Sequence, residues 1–418
     1  MEPNIEQPFG LMARVSGAVV GAALLDMYGG PIEGMDFSKD PKDNLMLQKY
    51  LRDPKTTDEI KEWAHACINT VNYVHANGGF VKSYLWDFNR TYLQRGSTTD
   101  DTGRNIVLLD SLARVGHVDI DDLLAETIEW GSGGAAIGIG GTTSLAIGKM
   151  DPEQTNSPYS DFRKANYVLR TQGKEWFLGW GMRSKSLAKG NKPRHYEFGP
   201  SPSNGVAMFI HGLGVFYAGC SDEVMQREMF SNSDAITTIT HGYPSCLEVS
   251  RVVVALTREL ILTGDIQRSY EKIHDQFPKT MDHAQRTLRS RGVHYAGGAY
   301  ETLGIALEAL RTSSNFEDVM FHVLNASQLY GPWATDVDTY GCLAGAFGGA
   351  AYSIDAISSE LLYPVLNDGT PVVMQPLSVS SLVSLSYEVW RQGQIYSGFD
   401  PILSRSDNVP NSPFRSLS

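Results

Sequence analysis

Cysteine is scarce in this chain. Four residues in 418, Cys67, Cys220, Cys246 and Cys342, show no paired spacing. That excludes a disulfide framework, and they read as reduced, mostly buried thiols. Neither C-x-x-C nor H-E-x-x-H occurs, so the usual zinc signatures are missing. Positive charge is short as well: 35 Lys and Arg stand against 47 Asp and Glu, for a net charge of −12. A generic nucleic-acid binder needs a basic face, so specific nucleic-acid binding is not expected. An anionic ligand held locally by backbone N–H groups stays open.

Long apolar runs are also lacking. The most apolar early stretch, GAVVGAALLDMYGG, carries Asp26 in its middle, and no membrane span is expected. The start, MEPNIEQPF, has no charged segment leading into an apolar one. No secretory leader is expected, and the cytoplasm is the default location. Alternating strand patterns are rare; SNSDAITTITHGY is the most strand-like stretch, and it is short.

Helical periodicity dominates what remains. In EIKEWAHACINTVNYV, Ile60, Trp63, Cys67, Val71 and Val74 recur at steps of three and four. Leu303, Leu307 and Leu310 do the same in AYETLGIALEALRTS. Ser314 and Glu317 have the spacing of a capping box, and Gly264 falls where a helix C-cap is expected. Three regions interrupt the helices: glycine-rich 131–148, the long polar loop 183–205, and the final dozen residues, which read as frayed. The expectation is an all-α fold in a single domain.

Acidic residues are plentiful, and they cluster. Asp26 and Glu33 lie in GAALLDMYGGPIEG, Asp100 and Asp101 in TTDDT, and Asp336 and Asp338 in ATDVDTYG. In an extended segment Asp336 and Asp338 would face one spot. Behind them, Gly341, Ala344, Gly345, Gly348 and Gly349 would let a neighbouring backbone approach and seat the acidic loop deep in the domain. Buried carboxylates need positive charge nearby. Carboxylates with threonine hydroxyls are hard oxygen ligands suited to Mg²⁺, Mn²⁺ or Ca²⁺. The plainer reading competes: Thr and Asp are favoured N-caps, and each cluster precedes an apolar helix.

The order of these segments resembles the ADP-ribosylglycohydrolase family of ADP-ribosyl-acceptor hydrolases and dinitrogenase-reductase-activating glycohydrolases. Gly17, Gly21, Asp26, Gly29 or Gly30, Pro31 and Glu33 match its first glycine-rich motif. Thr99 to Thr102 match its T-D-D-T, and ATDVDTYGCLAGAFGGA matches its D-x-D-T/S segment. Thr240 with His241, and Asn204, Gly205 and Met208, match further landmarks. The resemblance runs from about residue 13 to 360. It implies a compact orthogonal helical bundle over residues 1–365, with 366–418 as a C-terminal extension. It also implies two Mg²⁺ (or Mn²⁺) ions with Thr99, Asp100, Asp101, Asp336, Asp338 and Thr339 as ligands, and Asn204 and His241 near bound ADP-ribose.

The sequence departs from the family pattern in places. Ala334 and Thr335 replace two glycines, Phe209 stands where arginine usually follows the methionine, and Gly138 stands where the dinitrogenase-reductase-activating branch has an aspartate. These changes bear on the leaving group and the nucleotide contacts, and they spare the ligand set.

The activity implied is metal-dependent removal of ADP-ribose from a protein or small-molecule acceptor. A metal pair would bind the ribose diol and lower the pKa of a water, with Asp101 or Glu33 as general base, or with Glu33 only gating the site. The N–H groups of Gly140, Gly141, Thr142 and Thr143 precede a helix and would receive phosphate oxygens, with Asn204 and Gly205 supplying further donors. An ordinary turn is the competing reading for each. His241 is expected as a contact. Tyr196, Phe198 and Tyr340 could stack on adenine, although core packing fits each as well. Two other functions compete: a non-catalytic ADP-ribose binder, and an N-glycosidase acting on a small nucleoside-type metabolite.

Overall fold

A computed structural model of the chain describes residues 8–30, 33, 54, 98–132, 139–146, 180–184, 196–200, 202–291, 297–359, 361–362, 371–373, 375–376 and 378–398. The helix expected at 59–74, Cys67, Pro31, Gly138 and the final dozen residues lie outside them. In chain order the helices are α1 (Pro8–Gly29), α2 (Asp100–Val115), α3 (Ile120–Ser132) and α4 (Gly141–Ala146). A strand pair, β1 (Trp180–Ser184) and β2 (Tyr196–Pro200), follows. Then come α5 (His211–Gly219), α6 (Asp222–Thr238), α7 (Pro244–Thr263), α8 (Ile266–Gln276) and α9 (Pro278–Arg291). After these lie α10 (Ala299–Thr312), α11 (Phe316–Leu324), α12 (Ala326–Tyr330) and α13 (Val337–Tyr352). The short strands β3 (Pro371–Val373) and β4 (Gln375–Pro376) precede α14 (Val379–Tyr396). The fold is all-α in class, trimmed among the described residues by two small antiparallel strand pairs.

The centre is built on α1. Its Val15, Ala18, Val19, Ala22, Leu24, Leu25 and Met27 are all buried, on every side of the helix. A helix apolar all round belongs in a core or a membrane. By length and composition alone Gly10–Gly29 could cross a bilayer. Here it is the inner helix of the fold, packed chiefly on α13. Glycines set that contact. A Cβ on Gly345 would lie 2.1 Å from the Gly21 carbonyl oxygen, and one on Gly349 would lie 1.9 Å from that of Gly17. No other residue permits this spacing, as the small-residue pattern of α13 led one to expect.

Other helices follow local rules with local corrections. Gly264 ends α7 with φ of 64° and donates its N–H to Leu260 O, as expected of a C-cap. The α11 cap sits one residue later than the Ser314–Glu317 spacing suggested. Asn315 accepts from the Asp318 N–H at 2.8 Å, and Ser314 Oγ donates to the same Asp318 at 2.6 Å. Both Ser314 and Asn315 are capping types; placing the cap at Asn315 buries Phe316 in the first turn. The strand-like stretch from Ser231 is instead the end of α6. Met229, Ser233, Ile236 and Thr237 keep helical spacing toward the core, and Thr237 Oγ1 lies within hydrogen-bond reach of Ser233 O and Ser250 Oγ, at 2.7 and 2.8 Å. Tertiary contacts override the β-branched composition there. The region read as a loop over 183–205 has ordered borders: β1 pairs with β2, with Met182 opposite Phe198.

Beyond residue 365, α14 packs on α5, α1 and α2. A Cβ on Gly393 would lie 2.1 Å from Phe216 O, and one on Gly219 would lie 2.1 Å from Trp390 O. Cys220, Cys246 and Cys342 are buried thiols.

Candidate metal centre

The end of α1 delivers Asp26, completely buried in the apolar run. Its partner is the N-terminus of α2. The backbone N–H of Thr99 lies 3.1 Å from both Asp26 oxygens, the Thr99 hydroxyl 2.7 Å from Oδ1, and the Thr102 N–H 3.0 Å from Oδ2. Four orphan N–H groups open any helix, and a carboxylate there is favoured by the helix dipole. Thus α2 is capped twice, by Thr99 from within and by Asp26 from another helix. The capping reading of T-D-D-T holds for its first threonine only. Asp100 and Asp101 are left free of that duty.

Both are buried. Asp101 Oδ2 lies 3.0 Å from the Thr99 hydroxyl, whose single hydrogen serves the nearer Asp26. Among the described residues Asp101 Oδ1 has no hydrogen-bond partner. A buried carboxylate oxygen with nothing to receive is costly. It calls for a proton or a cation.

The opposite wall comes from α13. Asp336 is its N-cap and Asp338 its second residue, so the pair is not extended as the alternation argument supposed. The cap geometry still turns both side chains to one place. Oxygens of Asp26, Asp101 and Asp338 lie within 4.8 Å of one another, as do those of Glu33, Asp336 and Asp338. Asp338 is common to both groups. It accepts the Thr339 N–H at 2.9 Å, and Asp336 accepts the Asn204 side-chain amide at 2.7 Å. Glu33 stands in a turn just after α1, its N–H on Gly30 O at 3.3 Å. Close contact carries α1 to this point as well: a Cβ on Gly29 would lie 2.5 Å from Asp338 Cα.

The acids raise one another's proton affinity. Burial, then the charges of Asp26 and Asp336, hold Asp100 at about 7, partly relieved by Arg104. Glu33 is exposed as a whole residue. Its carboxylate is turned in among the acids, and lost hydration followed by repulsion from Asp336, Asp100 and Asp26 pushes it to about 8. Burial and the neighbouring charges drive Asp101 and Asp338 well above the usual carboxylate range, and burial alone raises Asp26 and Asp336. Hard oxygen donors, mutual repulsion and an unpartnered Asp101 oxygen together fit a divalent cation. Asp26 fits less well as a direct ligand, because four N–H and O–H contacts already occupy its lone pairs.

A second group lies beside the acids. Arg104, one turn along α2 from Asp100, is 2% exposed. Its guanidinium carbon lies 4.2 Å from the Phe209 ring centroid, at the very position where the family pattern has arginine. Nη1 is 3.5 Å from Thr143 Oγ1. Burial lowers its pKa to about 9. His241 is held to about 3 by burial and then by the Arg104 charge, so its ring is neutral; its Nδ1 lies 2.8 Å from Thr240 Oγ1. Gly205 touches this ring: a Cβ there would lie 2.9 Å from His241 Nε2 and 3.5 Å from Thr143 Oγ1. Ser203 Oγ donates to Thr142 Oγ1 at 3.2 Å. Gly140 faces open space at the start of α4, next to Gly141.

The residues singled out in the sequence therefore fall into two neighbouring sets. Thr99, Asp100, Asp101, Asp336, Asp338, Thr339 and Glu33 form the acidic set. Gly205, His241, Thr142 and Thr143 form the flank. Asn204 joins them, because its Nδ2 serves Asp336 and, at 2.9 Å, Thr302 Oγ1. Tyr340 is fully buried, a packing residue. Sequence reasoning gave no role to Asp26, although a carboxylate inside an apolar helix was the signal. It missed Arg104, whose signal was its spacing of four from Asp100.

An all-helical protein with a buried polycarboxylate centre at converging helix ends is the class these features define. The chain belongs to the ADP-ribosylglycohydrolase family, whose model matches residues 9–389. A solved structure of an "ADP-ribosylglycohydrolase-related protein complex" is 20% identical, with a TM-score of 0.54 over 92% of this chain and 99% of that one. No curated protein matches. Hydrolysis of glycosidic bonds is the general activity of this family.

Proposed function

We propose that this chain hydrolyses the glycosidic bond between ADP-ribose and a modified acceptor. Thr99, Asp100, Asp101, Asp336, Asp338 and Thr339 would hold two divalent cations, Mg²⁺ or Mn²⁺. The observation that carries the reading is the meeting of Asp101, Asp336, Asp338 and Glu33, with no hydrogen-bond partner for Asp101 Oδ1 among the described residues. Bound divalent cations grip sugar hydroxyls and lower the pKa of water.

The chain's own residues do the rest. Asp26 fixes Thr99 and the first turn of α2. Asn204 orients Asp336. Glu33 is the better general base of the two candidates. As a residue it is exposed where Asp101 is buried, so it stands between solvent and the acids, and a value near 8 leaves it largely protonated at neutral pH until a cation arrives. An arriving positive charge would lower that value toward neutrality.

The test is hydrolysis itself. Full-length protein with Mg²⁺ is incubated with ADP-ribose attached to arginine, serine or a nucleobase, and free ADP-ribose is followed. Release that disappears in Asp336→Asn is expected. ADP-ribose binding without release from any substrate would make the protein a binder. Release of base from simple nucleosides, with ADP-ribosyl compounds untouched, would make it an N-glycosidase.

A further inference from the structure

Arg104 presents an unsolved charge. It is 2% exposed, and among the described residues no carboxylate reaches ion-pairing distance of it. Asp100 is the acid that feels its charge, from beyond contact. Among the described residues its one side-chain hydrogen bond, to Thr143 Oγ1, is long at 3.5 Å. Its flat face is spent on Phe209, which leaves the edge of the guanidinium, where the N–H groups are, with little to bind. Burying a cation this way is costly unless an anion completes it. The ring of Phe209 offsets part of that cost. The neighbouring His241 cannot help, because it is neutral and itself lies near the same charge.

Two occupants compete for that edge. As an internal counter-ion for the acids, the guanidinium would point at Asp100 and pair with it. It lies instead against Thr143 and Phe209, on the flank where Gly205 and His241 meet. We infer that Arg104 and Thr143 form an anion subsite beside the carboxylate centre, and that it takes a phosphate oxyanion of the ribosyl substrate. The rigid fork of arginine suits phosphate, and the hydroxyl of Thr143 supplies a further donor. The subsite makes Arg104 a specificity-determining residue: it selects phosphorylated ribosyl compounds over neutral nucleosides. This deepens the proposed function and rests on it for the identity of the sugar, though not for the binding of the anion.

The experiment is calorimetric titration of the full chain in Mg²⁺ with pyrophosphate, ribose 5-phosphate, ADP-ribose and ribose. Arg104→Met keeps the apolar stem over Phe209 and removes the fork; Thr143→Val removes the hydroxyl and serves if the first variant does not fold. The loss expected in Arg104→Met is about ten- to a hundredfold for all three phosphorylated ligands, with ribose unchanged. A smaller loss of the same selectivity is expected in Thr143→Val, and partial retention in Arg104→Lys. A loss confined to ADP-ribose and pyrophosphate assigns the subsite to a diphosphate; a loss shared by ribose 5-phosphate assigns it to any phosphate. Unchanged phosphate binding in both variants overturns the inference. So does equal weakening of ribose and its phosphate, or a wild-type protein that binds no phosphorylated ligand. Tighter Mn²⁺ binding by Arg104→Met, with phosphate affinity intact, would also overturn it and make the residue a counter-ion. Failure to release ADP-ribose while the phosphate selectivity holds sinks the proposed function and leaves the subsite standing.

Discussion

The two ends of the α1–α13 pair are built for opposite purposes. At one end Gly17 and Gly21 meet Gly349 and Gly345, backbone against backbone, without a polar side chain between them. At the other end the same two helices bring Asp26 and Glu33 up to Asp336 and Asp338. The first end is stabilising by close packing. The second is destabilising by desolvated like charge. The dry end holds the helices at a fixed spacing, and that fixed spacing keeps the acids from drifting apart. Stability generated along the pair is thereby spent at its tip, a pattern expected where function demands it.

The comparison can be broken most sharply at Asp338, the residue shared by both acid groups. Asp338→Asn should cost several kcal/mol of transition-state stabilisation, about a thousandfold in rate. Without metal the same variant should melt at a higher temperature than the parent, because a repelling charge is gone. Calorimetry of apo protein beside an ADP-ribose release assay tests both; equal or lower stability would contradict the idea of a strained acidic end.

The pH dependence carries a sign of its own. Asp100 and Glu33 sit at about 7 and about 8 in the folded chain, against roughly 4 when unfolded. Between those values the native state holds more protons, so metal-free stability must fall as pH rises from about 5 to 8. Urea melts in a chelator should show this decline, and Mg²⁺ should flatten or reverse it. A metal-free stability that climbs over that range would argue that the acids are paired.

At the dry end, Gly345→Ala would place a methyl 2.1 Å from the Gly21 carbonyl oxygen. The backbones must part, and a loss of about 2–3 kcal/mol is expected. Activity should fall with it, through displacement of Asp338. Full activity in a destabilised variant would separate the two ends and refute their mechanical link. The smallest effect belongs to Asn204→Ala, which frees Asp336 without removing a ligand. Metal affinity should weaken about ten- to a hundredfold, read by Mn²⁺ titration, with little change in melting temperature.

Much of this was legible in the chain. Periodicity gave the helical class, the glycine pattern of α13 announced a close partner, and Gly264 marked the end of α7. The acids were visible as clusters, and their hard-oxygen chemistry followed from residue type. Other features were out of reach because they depend on partners distant in sequence. Capping by Thr99 and Asp26 together decides that Asp100 and Asp101 are spare, yet Asp26 lies 73 residues from Thr99. The shift of the α11 cap to Asn315 depended on where Phe316 is buried. The length of α6 depended on Ser250, which receives Thr237 from another helix.

What the sequence determined by itself was which segments would be helices and which residues carried charge, since both follow from local periodicity and side-chain chemistry. Only the tertiary structure decided which carboxylates are neighbours, which carboxylate oxygen is left without a donor, and where the Arg104 guanidinium comes to rest. Those outcomes depend on contacts between remote segments, and it is the glycine-tight approach of α1 to α13 that fixes the distances over which the charges act.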